Sequence, residues 1–124
     1  MRFMYIVTSP KPMTAPNPAL FEAINKLRDR ELKAGRMIDD GGLLPVATGA
    51  QVRIADKKIS VIDGPFVETK EMIGGYAIFE LRDKEEAVAA AVEFMRLHKE
   101  HMPGWEGTCE VRAFASPPQT GSHG

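Results

Sequence analysis

Residues 63–80 read DGPFVETKEMIGGYAIFE. An acidic turn, a proline, a lone Phe66 and a charged run lead into Gly74-Gly75 and then an apolar segment. The reading of this stretch decides the fold. The segment from Tyr76 alternates Tyr76/Ile78/Glu80 with Ala77/Phe79/Leu81, the two faces of a strand. The turn chemistry before it divides a hairpin upstream from a strand–helix–strand unit downstream.

Upstream, AQVRIAD sets Val52 and Ile54 against Gln51 and Arg53, the period of a half-exposed strand, and KKISVID follows across a turn at Asp56-Lys57-Lys58. RMIDDGGLLP reads as a short strand broken by Gly41-Gly42. Its adjacent Asp39 and Asp40 point to opposite faces and do not act as a pair. Earlier still, Thr8–Pro18 carries four prolines in eleven residues and is a loop. Asn17 suits an N-cap and Pro18 the first helical position. Leu20, Ile24, Leu27 and Glu31/Leu32 recur at helical spacing, Arg28, Arg30 and Lys33 fall toward the wet side, and Gly35 closes the helix. Arg2–Val7 is apolar on both faces, as a central strand is.

Downstream, Asp83 with Glu86 three residues on forms a capping-box pattern. Val88, Ala91, Val92 and Met95 make the expected buried stripe of this second helix, and Pro103-Gly104 stops it. TCEVRAF is a last strand with Cys109, Val111 and Ala113 on one face, and residues 116–124 form a polar, disordered tail. The order is β-α-β-(β-β)-β-α-β in one domain over residues 1–115. Without the hairpin this is a ferredoxin-like βαββαβ plan. Two helices cover one sheet face, so the other calls for a second copy, and a homodimer is expected.

A chain of 124 residues fits one core. Sixteen basic residues against seventeen acidic ones give a net charge of -1, with no electrostatic footprint for nucleic acid. No apolar run spans a bilayer and no signal peptide is evident, so no membrane association and a cytoplasmic location are expected. The single Cys109 forms no internal disulfide and reads as a small buried hydrophobe.

GGLLP, VRIADKKISVIDGPFVETKEMIGGYAIFE and PGWEGTCEVRAF together resemble the DGPF-type branch of the YCII-related proteins, closely over residues 36–115. The resemblance implies a dimeric α+β barrel, two ferredoxin-like subunits with their sheets facing. It also implies two possible settings. One is small-molecule chemistry, since a related protein eliminates chloride from a chlorinated hydroxyquinol. The other is association with alternative sigma factors. The family's His–Asp pair with a histidine on the first helix is not carried over, because PALFEAINKLRDRELKAG has no histidine.

Within the opening stretch Asp63 initiates the turn, Gly64 permits positive φ, Pro65 rigidifies and Phe66 anchors. Asp63 is also a candidate to orient a base beside a pocket, and Lys70 to reach an anionic ligand, although Glu68, Lys70 and Glu71 equally describe a solvated loop. Gly74-Gly75 reads as a bulge that lets a neighbouring backbone approach. His98 and His101 share a face at the end of the second helix, and His98 continues its apolar stripe. Either is a candidate general base; H-x-x-H alone supplies too few ligands for a metal, so none is expected. Trp105 either seals the helix end or forms an aromatic wall. The catalytic candidates are thus Asp63, His98 and His101, and the ligand-contacting ones Phe66, Lys70, Tyr76 and Trp105. No cofactor motif occurs. Two readings follow. One is a cofactor-independent enzyme of elimination or isomerisation type acting on a small molecule in a barrel pocket. The other is a non-catalytic dimeric ligand-binding or regulatory module.

Overall fold

The computed structural model describes residues 1–10, 17–64 and 72–115. In chain order the elements are β1 (Arg2–Ser9), α1 (Pro18–Lys33), β2 (Met37–Gly42), β3 (Ala50–Ala55), β4 (Lys58–Asp63), β5 (Met72–Glu80), α2 (Lys84–His101) and β6 (Thr108–Ala113). Four strands form an antiparallel sheet in the order β2-β5-β1-β6, and β3 and β4 form a separate two-stranded sheet. Each helix links two strands that leave room for one between them. This is the split β-α-β arrangement of a ferredoxin-like fold.

The expected dimeric α+β barrel is corrected. The sheet is open, with β2 and β6 at opposite edges, and β3 and β4 pair only with each other. Four strands fall short of the roughly eight of a small closed barrel, and no dimer is evident. The sheet face away from the helices is not a bare apolar surface either. Met4, Ile6, Tyr76 and Ile78 are only half-exposed there and share the face with Asp39, Glu110 and Arg112.

Both helix starts form as their sequences dictate. The Asn17 side chain accepts from the Leu20 N–H at 2.8 Å, with Pro18 in the first turn. Asp83 accepts from the Glu86 N–H at 2.9 Å, while Glu86 reaches back to the N–H of Arg82 at 2.8 Å, one residue before the cap. Gly35 (φ 74°) and Gly104 (φ 86°) take the left-handed conformation just past the helix ends.

The buried stripe of α2 differs from the expected one. Ala87, Ala91 and His98 are buried, with Phe94 beside them, whereas Val88 and Val92 are 42% and 45% exposed. The small alanines let the helix sit close on Phe3, Tyr5, Phe79 and Leu81, which form the core. The Tyr5 hydroxyl donates to the Ala87 carbonyl at 2.6 Å and pins that approach.

Strand β2 runs through Gly41-Gly42 instead of breaking there. A Cβ on Gly75 would lie 2.9 Å from the Gly41 carbonyl oxygen, so these two strands meet through bare backbone. Gly74 is the extra residue of a bulge between Val7↔Gly75 and Thr8↔Ile73, as its sequence suggests.

The hairpin turns on Asp56 and Lys57, both at positive φ (52° and 65°), the signature of a type I′ turn. Its alternation is present but its orientation is not the expected one. Val52, Ile54, Ile59 and Val61 share the outer face, each at least 66% exposed. Gly64 is absent from the positive-φ glycines. It is required instead because a Cβ there would collide with the Val46 carbonyl. Among the described residues no helix is long and apolar enough to cross a membrane.

Glu31, only 2% exposed, ties α1 to β2. It accepts from Arg36 at 2.6 Å through both oxygens and from Arg30 at 3.0 and 2.7 Å. Arg30 in turn holds Glu93 of α2 at 2.7 and 2.8 Å. Burial alone would push the Glu31 carboxyl up, but the two arginines hold it below its ordinary value. Removing one partner of such a cluster leaves charge unpaired. Glu31→Ala is therefore expected to cost about 3 kcal/mol, read from urea unfolding; a loss below ~0.5 kcal/mol, the size of an ordinary surface change, would show that the cluster is not a tie.

Candidate functional site

A cavity of about 560 Å³ lies between the helices and the sheet, a size suited to a small molecule. Its origin is in the sequence. Gly42, Gly74, Gly75, Ala77 and Ala90 put almost no side-chain volume into the space between the helices and the sheet. Leu20, Ile24 and Leu27 of α1 face Tyr5, Val7 and Phe79 of the sheet across the remaining space. The walls are thus mainly apolar.

The polar groups in these walls are few and nearly all engaged. Arg28 donates through Nε to both Asp40 oxygens at 3.0 Å. Asp40 faces the helices because it pairs with Ala77, whereas Asp39 lies on the other face and accepts from the Tyr76 hydroxyl at 3.0 Å. The two aspartates are separated as strand alternation requires. Tyr5 is held protonated, its pKa raised chiefly by burial. Burial likewise pushes the Cys109 thiol up to about 11, so it is no thiolate at neutral pH.

His98 is engaged through only one of its ring nitrogens. It is 6% exposed, and its ring packs edge-on to Phe94 and tilted against Trp105, each at a centroid distance of 4.7 Å. Its Nδ1 lies 3.1 Å from the Phe94 carbonyl oxygen. A carbonyl can only accept, so Nδ1 carries the proton. In the neutral ring Nε2 then keeps its lone pair, and among the described residues no hydrogen bond reaches it. Burial lowers the His98 pKa, outweighing the opposing effect of the Phe94 carbonyl, so the neutral form holds at physiological pH.

The sequence candidates are distributed unevenly. His98 and Trp105 come together in the wall of the cavity. Tyr76 lies at the cavity's edge but turns its side chain to the far face of the sheet, where its hydroxyl donates to Asp39, which raises its pKa. His101 is half-buried beyond the cavity, and its carbonyl accepts from Asn17 Nδ2 at 2.6 Å. Asp63 is exposed at the end of β4 and does not line the cavity. Phe66 and Lys70 lie outside the described residues. Sequence reasoning missed Arg28, Asp40 and Phe94. Arg28 sits on the flank of the α1 stripe, and only the pairing of Asp40 with β5 shows that the two converge. A second, more open groove between α2 and β6 shares His98, Trp105 and Cys109 with the first. Among the described residues no three His, Cys, Asp or Glu side chains cluster to hold a metal ion.

The model of the YCII-related domain family matches residues 1–96. A comparison with curated proteins gave no match.

The depressed His98 pKa has a consequence for stability. The unfolded chain binds this proton at the ordinary value of 6.5 and the folded one only below it. Stability is therefore full above that value and falls as pH drops toward the folded pKa. Urea midpoints of the parent are expected to decline as pH falls through 6.5, and those of His98→Gln to decline less. Parallel profiles would show that His98 is not buried in its neutral form.

Proposed function

Since the chain belongs to the YCII-related family, which its residues 1–96 match, we propose that it is a cofactor-independent enzyme acting on a small apolar molecule held between helices and sheet, with His98 as the proton acceptor. In this reading the sequence DGPF at 63–66 supports membership of the DGPF-type branch. One observation carries the proposal: a neutral, buried imidazole whose Nδ1 is fixed by its own helix and whose Nε2 lone pair has no partner among the described residues. General-base catalysis requires this state, because an imidazolium has no lone pair to accept with. The proton leaves a carbon of the ligand for Nε2, and the electron pair left behind takes one of two courses. It shifts within the molecule, whose far end takes the proton back from Nε2, or it expels a leaving group while the imidazolium passes its proton to solvent. The first outcome is an isomerisation and the second an elimination.

Phe94 and Trp105 flank the ring and fix its plane, so the base is preorganised and shielded from water. Asp63 and His101 are not needed for a single-base reaction. Non-catalytic binding in the same cavity is the competing reading, and it draws support from the lack of a second free acid among the described lining residues.

Hydrogen–deuterium exchange next to the carbonyl of cyclohexanone, followed by NMR in D₂O, separates the two. The parent is expected to exceed an equal concentration of free imidazole, and His98→Gln to lose at least about 100-fold of that rate, the low end for a positioned base. Exchange no faster than with imidazole, or unchanged in His98→Gln, would leave binding without turnover.

A further inference from the structure

Among the described residues three arginines pair with the carboxylates of the cavity wall, and they are not equally occupied. Arg30 uses Nε, Nη1 and Nη2 on Glu31 and Glu93. Arg36 gives Nε and Nη2 to Glu31, and its Nη1 lies 4.0 Å from Glu86. Neither of the two lines the space, whereas Arg28 does and is half-buried. It reaches Asp40 through Nε alone, 3.0 Å from each oxygen, and its Nη1 and Nη2 make no hydrogen bond among the described residues.

The form of the Arg28 pair matters. Arginine and carboxylate frequently meet as a fork, two oxygens on two nitrogens. Here both Asp40 oxygens converge on one nitrogen, so the pair fixes the side chain while its Nη edge stays available. Asp40 is itself placed by β2, where it pairs with Ala77 and faces the helices. Glu31, Asp40 and Glu93 are matched by Arg28, Arg30 and Arg36, so the wall carries no net repulsion for either a neutral oxygen acceptor or a carboxylate. Nη1 and Nη2 together present a planar donor edge that suits both. The indole N–H of Trp105 is the other unengaged N–H donor among the described lining side chains.

We propose that Arg28 anchors the cavity's ligand, its Nη1 and Nη2 donating to a planar oxygen acceptor, a carbonyl or carboxylate, while Asp40 holds the guanidinium in place as a positioning residue. This rests on the cavity being the ligand site, as the proposed function has it. The chemistry given to His98 asks for the same feature in the ligand. A carbon yields its proton to a base readily only beside a group that takes up the electron pair left behind, and a carbonyl is such a group. The ligand class is thus a mainly apolar molecule bearing one such oxygen group.

Three probes built on one ring test the assignment by NMR titration of the full chain: cyclohexanone, cyclohexanecarboxylate and methylenecyclohexane, in which CH₂ replaces the ketone oxygen. Cyclohexanone or the carboxylate is expected to move the Arg28 Nη signals and to bind at least roughly tenfold more tightly than methylenecyclohexane. Whichever of the two binds more tightly identifies the acceptor. Arg28→Met should remove that advantage and leave methylenecyclohexane unchanged. Arg28→Lys, which keeps a cation for Asp40 without the planar edge, should remove most of it and serves if the methionine variant does not fold. An advantage that persists in Arg28→Met would assign the oxygen to Trp105 and overturn the proposal. Equal loss of all three probes would overturn it too, since Arg28 would then shape the cavity and not bind the oxygen. Shifts of Phe94, His98 and Trp105 with no preference for an oxygen-bearing probe would overturn it while the cavity remained the ligand site. If no probe moved those signals, the cavity would not be the site, and the proposed function would fall as well.

Discussion

A single buried carboxylate holds the layers of this protein in place. Glu31 sits on the core-facing stripe of α1, where a leucine would ordinarily be. Its bonds to Arg36 fix the entry into β2, and Arg30 extends the contact to Glu93 on α2. Arg36 also accepts through its carbonyl from the Glu80 N–H at 2.8 Å, which joins the same point to the end of β5. One cluster thus connects both helices and two strands at one end of the molecule. At the other end the strands meet through glycines and Asn17 joins the start of α1 to the end of α2, and the cavity lies between the two ends. Ion pairing and missing side-chain volume produce the space together.

Much of this was legible where the determinants are local. Asn17-Pro18 and Asp83 announce their helix starts because capping needs only residues within one turn. Gly74-Gly75 announces a bulge because few residues allow strand backbones to approach so closely. Determinants that depend on distant partners were not legible. The expected stripe of α2 held Ala91 but took in Val88 and Val92 in place of Ala87, because the valines are more hydrophobic and the distance to the sheet is not written in the helix. The hairpin's alternation was visible, but which side faces outward is decided by where the hairpin sits. The barrel came from the family resemblance, which does not determine how this chain's own strands close, and the sheet is open.

The candidate site divides along the same line. His98 was legible because helical spacing carried the apolar stripe onto it, and Trp105 because a Pro-Gly break preceded it. Arg28 with Asp40 was not, since a helix and a strand must be brought together before the two meet. Asp63 stood out for its turn chemistry, and turn chemistry is local: it identifies where the chain bends without saying what the bend faces.

The account depends on the state of one nitrogen. If Nδ1 of His98 donates to Phe94, the ring is a base aimed away from its own helix; if the proton sits on Nε2, the same ring is a buried structural group with no lone pair to offer. Long-range ¹H–¹⁵N correlation spectra of the histidine rings at neutral pH distinguish these states directly. The structure predicts that His98 shows a protonated Nδ1 and an unprotonated Nε2. A protonated Nε2, or an imidazolium at that pH, would contradict it.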